Sequence, residues 1–544
     1  LSGWLHHLTI APIVIPLLAG TLMVLIGERR RAIKAAFGIA SALALIAVAI
    51  ALLSLADGSS ADRQGSVLVY RLGDWPALFG IVLVLDRMSA LMLVLTGVLG
   101  LSALVFSLAR WHRGGAHFHP LLQFQLMGLN GAFLTGDLFN LFVFFEVMLA
   151  ASYGLALHGS GAVRIRAGLH YIAVNLTSSL LFLIGVSTIY GVAGTLNMAD
   201  LAARIPTIVS ADRGLLEAGA AILGIAFLIK AAVWPLGFWL PNAYAAASAP
   251  AAAILSILSK VGIYAVVRLW LLLFGAAAGD SSGFGGAWLL FGGLLTIAFG
   301  TIAVLATQNM ARLAGASVLV SSGTLLAAIG TGHVAVTAGA LFYLASSVLA
   351  IAAFFLLIEL VERGREVGAD VLAVTREAFG EGEEEEGYEK EEVGIAIPAV
   401  TAILGICFMG CALLLAGLPP LSGFLAKFAI LAPLFGSGSG NVSAGTWAIL
   451  AALIISGLAT IIAMARAGMD AFWVSPADAR PRVRVTEIGP VALLLALCIA
   501  MTVRPEAVMN YLQATAESLH APQGYIRAVF PVPPSRGPDK EAGQ

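Results

Sequence analysis

The chain has 544 residues, of which 60% are hydrophobic and only 11% charged, and its mean hydropathy is +0.95. A soluble globular chain carries about 25% charged residues, so this composition excludes a water-coated body and points to lipid as the solvent. A net charge of −1 excludes a nucleic-acid partner, which would require a basic excess.

An apolar run of about 18 or more residues crosses a bilayer as a helix, because hydrocarbon offers backbone groups no partner but each other. About fourteen such runs are predicted, which makes the chain an all-α polytopic membrane protein. In order they are 9–26, 33–56, 80–108, 118–136, 137–157, 168–193, 215–239, 242–274, 287–306, 312–331, 334–361, 395–435, 446–466 and 488–506. No positively charged stretch precedes the first run, which is expected to be a span and not a signal peptide. Thr135-Gly136-Asp137 reads as the turn that divides the fourth run from the fifth. The expected organisation is N-terminal spans over 1–117, a first repeat over 118–274, a second over 287–466 with a loop at 362–394, a last span, and a tail over 507–544.

Basic loops stay cytoplasmic. With the first loop inside, alternate loops place 17 Lys and Arg there and 8 on the opposite side, so both termini are expected outside. Residues 377–392 hold nine glutamates, a block that reads as a solvated loop. From Ala521 onward, with Pro531, Pro533 and Pro534, the tail is expected to be disordered. Cys407, Cys411 and Cys498 fall in apolar runs and read as packing residues.

An ionisable side chain at the centre of a span costs from about 2.5 kcal/mol upward, so it is functional by default. Four stand out: Glu146, nine residues or roughly 13 Å past Asp137, and Lys230, Lys260 and Lys427, each at the end of an apolar stretch. Arg268 and Arg87 lie near helix ends and read as interface anchors. Two spans are interrupted beside a lysine, at Pro235 after Lys230 and at Pro419-Pro420 before Lys427. Proline removes a donor and frees a carbonyl. In a membrane such a break persists where it lines a cavity, and a matched pair points to inverted repeats with an ion path between them. The sequence contains no His-Glu-x-x-His, Walker, Cys-x-x-Cys or Gly-x-Ser-x-Gly motif, so common enzyme classes lose their support and no cofactor or metal is expected.

Taken together, the segments Phe139 to Glu146, Lys230 to Ala243, Ser259 to Tyr264 and Pro419 to Lys427 resemble the antiporter-like subunits shared by proton-pumping NADH–quinone oxidoreductase (complex I) and the multisubunit Mrp (Pha) cation/proton antiporters. Within that family, Glu146 to Tyr153 and Gly194 to Asp200 are similar to the D-type subunits of the Mrp branch. The resemblance implies two inverted five-helix repeats, two discontinuous helices and a buried axis on which Glu146 pairs with Lys230 and protons pass by Lys260 and Lys427. In many relatives the span 334–361 carries His and Lys near its middle. Here that stretch is Ser346-Ser347-Val348-Leu349 and onward, so water held by Ser256, Ser259, Ser317, Ser321, Ser322 and Thr324 is expected to fill in, with Asp137 and Tyr264 as further polar support. The expected role is the proton-translocating subunit of a Na+ or K+/proton antiporter in a bacterial inner membrane, a transporter with other antiporter subunits, lipid, protons and monovalent cations as its partners. The alternative is a proton-pumping subunit of complex I or of a related membrane hydrogenase.

Overall fold

The computed structural model describes residues 7–27, 29–58, 67–77, 80–115, 117–159, 161–366, 399–436, 443–472 and 483–530. The glutamate block 377–392 and the prolines at 531–534 lie outside the described residues. Nineteen α-helices form among the described residues, and eleven are long and apolar enough to cross a membrane. The chain opens with α1 (Ala11–Leu25) and α2 (Arg31–Asp57), and then makes a small antiparallel hairpin, β1 (Leu68–Arg71) with β2 (Val82–Leu85). The expectation of one span over 80–108 is corrected here. Asp86 accepts a hydrogen bond from Ser89 N and starts α3 (Arg87–Ser107), which leaves 82–85 as strand.

Next come α4 (Phe118–Leu134), α5 (Leu138–Ala156), α6 (Ala162–Ala193), the short α7 (Met198–Arg204), α8 (Ser210–Lys230), α9 (Leu240–Ala246) and α10 (Ala249–Leu273). The turn at 135–137 divides α4 from α5 as the sequence predicted, because Asp137 caps α5 by accepting from Phe139 N and Asn140 N. The second half holds α11 (Gly286–Ala306), α12 (Met310–Gly330), the long α13 (Val334–Glu366), α14 (Ala399–Ala416), α15 (Ser422–Phe435), α16 (Ala444–Phe472) and α17 (Val485–Val503). Each of the expected spans contains a helix.

Burial sorts these helices into a core and a rim. α10 is buried along its whole apolar window and α12 and α13 along 94% of theirs, against 28–44% for α2, α6, α11, α14, α16 and α17, whose outer faces are free to meet lipid. α13 packs on α10, α12 and α15, while α4 pairs with α5, α6 with α8 and α11 with α12. The polar groups collect at two ends. One end is basic: Arg363 bridges Glu359 and Glu487, Trp111 donates to Glu359, and Arg164 donates to the carbonyls of His158 and Ala246. The other end carries the hairpin, which pairs with Thr135, and also Asp86, Asp137 and Asn197.

The tail departs from expectation. α18 (Pro505–His520) packs along α13, and α19 (Gln523–Val529) places Tyr525, 7% exposed, against Arg268. Residues Gln523–Val529 are therefore helical, against the expectation of disorder from Ala521.

Candidate functional site

Both interruptions form, and they are built alike. α8 stops at Lys230 and α9 resumes at Leu240; α14 stops at Ala416 and α15 resumes at Ser422. Each break holds a cis X-Pro bond, Trp234–Pro235 in the first and Pro419–Pro420 in the second. Each also holds a left-handed residue, Ala232 at φ 57° and Gly417 at φ 74°. A break exposes the last carbonyls of the first half-helix, which carry the negative end of its dipole.

The lysines use these ends differently. Lys427, in the second half-helix, reaches back so that Nζ donates to Ala416 O at 2.7 Å, capping the exposed carbonyl. Gly417 makes room for it, since a Cβ there would lie 2.7 Å from Lys427 Cδ. Lys230 is the last residue of α8, is 5% exposed, and its Nζ has no hydrogen-bond partner. The ammonium lies over the Phe145 ring, 5.1 Å from its centroid.

Glu146 is near enough to act on Lys230 electrostatically, but the two form no direct ion pair in this structure. The carboxylate instead accepts a hydrogen bond from Ser179 Oγ on α6. It is only half-buried, on a side of α5 whose neighbours Phe139 and Val143 are 54% and 41% exposed. The Glu146 carboxylate therefore sits at the edge of the chain and not in its interior.

Lys260 is fully buried on α10, with Nζ donating to Ser322 Oγ at 3.0 Å and pointing at Val318 O at 3.5 Å, both on α12. Between α12 and α15 run two hydroxyl pairs. Ser321 donates to Ser347 at 3.0 Å, and Ser346 lies 2.8 Å from Ser422, the residue that opens α15. Ser317, Ser321, Ser346, Ser347 and Thr460 line a cavity of about 20 Å³, room for about one water. The span 334–361 thus contributes its own serines, Ser346 and Ser347, to this cavity.

Five predicted side chains are already engaged in hydrogen bonds of their own. Ser256, Ser259 and Ser317 donate to carbonyls of their own helices, and Asp137 serves as a helix cap. Tyr264 donates to Phe133 O and accepts from Arg268. Arg268 is not an interface anchor. It is 6% exposed and forks onto Asp86 at 2.5 and 2.7 Å, tying α10 to the start of α3. Arg87, also 6% exposed, closes α2 by contacting Asp57. Ser179, Ser346, Ser347 and Ser422 were not singled out from sequence, because a serine in an apolar run carries no mark of its partner.

Residues 135–456 match the family described as NADH:quinone oxidoreductase/Mrp antiporter, TM. A protein of Rhizobium meliloti (strain 1021), named as the D subunit of a probable K+/H+ antiporter, is 59% identical over 98% of this chain and 99% of its own length. The D subunit of a Na+/H+ antiporter of Alkalihalophilus pseudofirmus is 31% identical, covering 97% of this chain and all of its own. The solved Mrp complex from Dietzia sp. DQ12-45-1b contains a chain superposing with a TM-score of 0.81 at 26% identity, over 96% of this chain and 99% of that one. The likeness to D-type subunits of the Mrp branch read from the motifs is carried along the whole fold. With its two broken helices, its buried Lys230, Lys260 and Lys427 and this continuous match, the chain belongs to the NADH:quinone oxidoreductase/Mrp antiporter transmembrane family.

Proposed function

We propose that this chain is the proton-translocating subunit of a multisubunit monovalent cation/proton antiporter, with fourteen crossings, two inverted five-helix repeats, its basic end in the cytoplasm and both termini outside. The observation that carries the reading is the set of three buried lysines, Lys230, Lys260 and Lys427, none of which forms an ion pair among the described residues. Uncompensated buried charge is costly and is kept where a charge must come and go. The matched breaks support the repeats, each five-helix unit having its break in the fourth segment.

Mechanistically, a proton enters on Glu146 and Lys230. When Lys230 and Glu146 approach, the charged forms are mutually stabilised; when they part, burial disfavours the ammonium and its proton moves on. Lys260 receives it and holds it against Ser322. The hydroxyls of Ser321, Ser347, Ser346 and Ser422, with water in the small cavity, link the neighbourhood of Lys260 to the helix that carries Lys427. The half-covered carboxylate calls for a neighbouring subunit, since a charge is not left facing hydrocarbon. The exchanged cation crosses elsewhere in the assembly, and K+ is the first to test, because the 59%-identical relative is named for it.

Lys230→Arg tests the reading. Arginine keeps the positive charge but does not release a proton. In everted vesicles carrying the whole complex, this variant assembles normally and exchange falls at least about tenfold, equivalent to about 1.4 kcal/mol of barrier. Exchange at the parent rate shows Lys230 to be a fixed charge and removes the mechanism.

A further inference from the structure

An ion-pair switch needs a place for each charge to rest when the pair is open. In this structure Lys230 and Glu146 are apart, and both charged groups are seated. Glu146 accepts from Ser179, and the Lys230 ammonium, with no oxygen or nitrogen partner, sits over the Phe145 ring. We infer that Phe145 and Ser179 are the two resting seats of the switch: once the pair opens, the face of Phe145 holds the Lys230 ammonium until its proton moves on, and the Ser179 hydroxyl holds the Glu146 carboxylate. This rests on the proton-transfer reading above and adds two positioning residues to it.

The geometry supports the assignment from four sides. A ring face carries negative charge and attracts a cation, most strongly where water is absent. A buried ammonium with no acceptor has nothing else to stabilise it. Phe145 is fully buried and fixed by Phe182 and Phe227, whose centroids lie 5.7 and 6.1 Å away, so the seat does not move with its occupant. Finally, Phe145 and Glu146 are consecutive on α5 and point about 100° apart. Lys230 therefore changes partner by rotating its own four-carbon stem, with α5 standing still. The motion carries its charge from the core, at Phe145, towards the half-covered edge, at Glu146.

The test replaces Phe145 with phenylalanine bearing one, two or three ring fluorines in the assembled complex. Fluorine withdraws charge from the ring face and changes shape little, so packing and assembly are preserved while the seat weakens. Exchange rate in everted vesicles is expected to fall stepwise with fluorine number, about tenfold in all. The same series at Phe182, which packs on Phe145 but does not face the lysine, leaves the rate unchanged. At the other seat, Ser179→Ala slows exchange severalfold and Ser179→Thr, which keeps the hydroxyl, restores it. A flat response to fluorine at Phe145 overturns the ring seat, and a Ser179→Ala variant as fast as the parent overturns the hydroxyl seat. Either result can coexist with an inactive Lys230→Arg, so failure of the seats is distinguishable from failure of proton transfer itself.

Discussion

Arg268 and Lys230 are both buried cations in the same helical body, yet they are treated in opposite ways. Arg268 has its fork filled by Asp86 and a further contact from Tyr264, and it lies beneath Tyr525. Lys230 has a carboxylate within electrostatic reach and does not bond to it. A cation whose donors are all answered locks two helices together, and one left unanswered beside its partner is free to act. Local satisfaction, more than burial, separates the charges that hold this fold from those proposed to work in it.

The sharpest way to break the contrast is to remove one partner from each pair. Asp86→Ala strands a buried guanidinium and should cost about 3–5 kcal/mol, read as lost yield and a lower melting temperature of the assembled complex. Lys230→Met, which keeps the buried stem, removes a charge that has no hydrogen bond, so stability should stay within about 1 kcal/mol of the parent or rise, while exchange is lost. Equal destabilisation by both would show that the distinction is not real.

Lys427 should fall between them, because it has one answered donor. Lys427→Ala leaves Ala416 O without its cap and should cost about 1–3 kcal/mol besides abolishing exchange; thermal melts of the three variants side by side give the order. The hydroxyl pairs come next. Ser346→Ala and Ser347→Ala together should lower exchange about threefold or more, with a stability loss near 1 kcal/mol per bond, whereas Ser256→Ala, whose hydroxyl serves only its own helix, should leave the rate alone. A rate unaffected by the double change would move the proton path away from α13.

The smallest effect lies outside the candidate spans, at His520 on α18. Burial, reinforced by the nearby His333, lowers its proton affinity, and Nε2 lies 2.9 Å from Thr337 Oγ1. The folded value lies below the ordinary histidine value of about 6.5. The contribution is therefore present above about pH 6.5 and is lost as pH falls through that value toward the lowered one. The protection of α18 amides, after division by the intrinsic exchange rate at each pH, should fall on acidification, and His520→Gln should remove that dependence. Because His520 is answered by a neutral hydroxyl, this marks the weak limit of the same scale.

The three buried lysines were legible in the sequence because a charge inside an apolar run is conspicuous, and both breaks because proline beside lysine is. Orientation within helices was not legible. Arg268 looked like an anchor because Asp86 lies 182 positions earlier, and only the packing of α10 on α3 brings them together. Ser179 and Ser346 were hidden for the same reason, since nothing local tells which neighbour a serine will face. The hairpin escaped because Val82 to Leu85 is as apolar as the helix it precedes, and its ladder depends on residues 68–71.

The cavity of about 20 Å³ among the serines bears on ion selectivity. It lies between helices that bear or contact two positive groups, so a metal cation entering it would be repelled from both sides. A water or a hydroxyl chain carries no charge and is accepted. In the proposed mechanism what crosses is a charge the lysines themselves take up and release, and sodium or potassium cannot be carried in that form. Discrimination against the abundant metal cations then needs no sieve of carbonyl oxygens; it follows from having already filled the route with the protein's own removable charges.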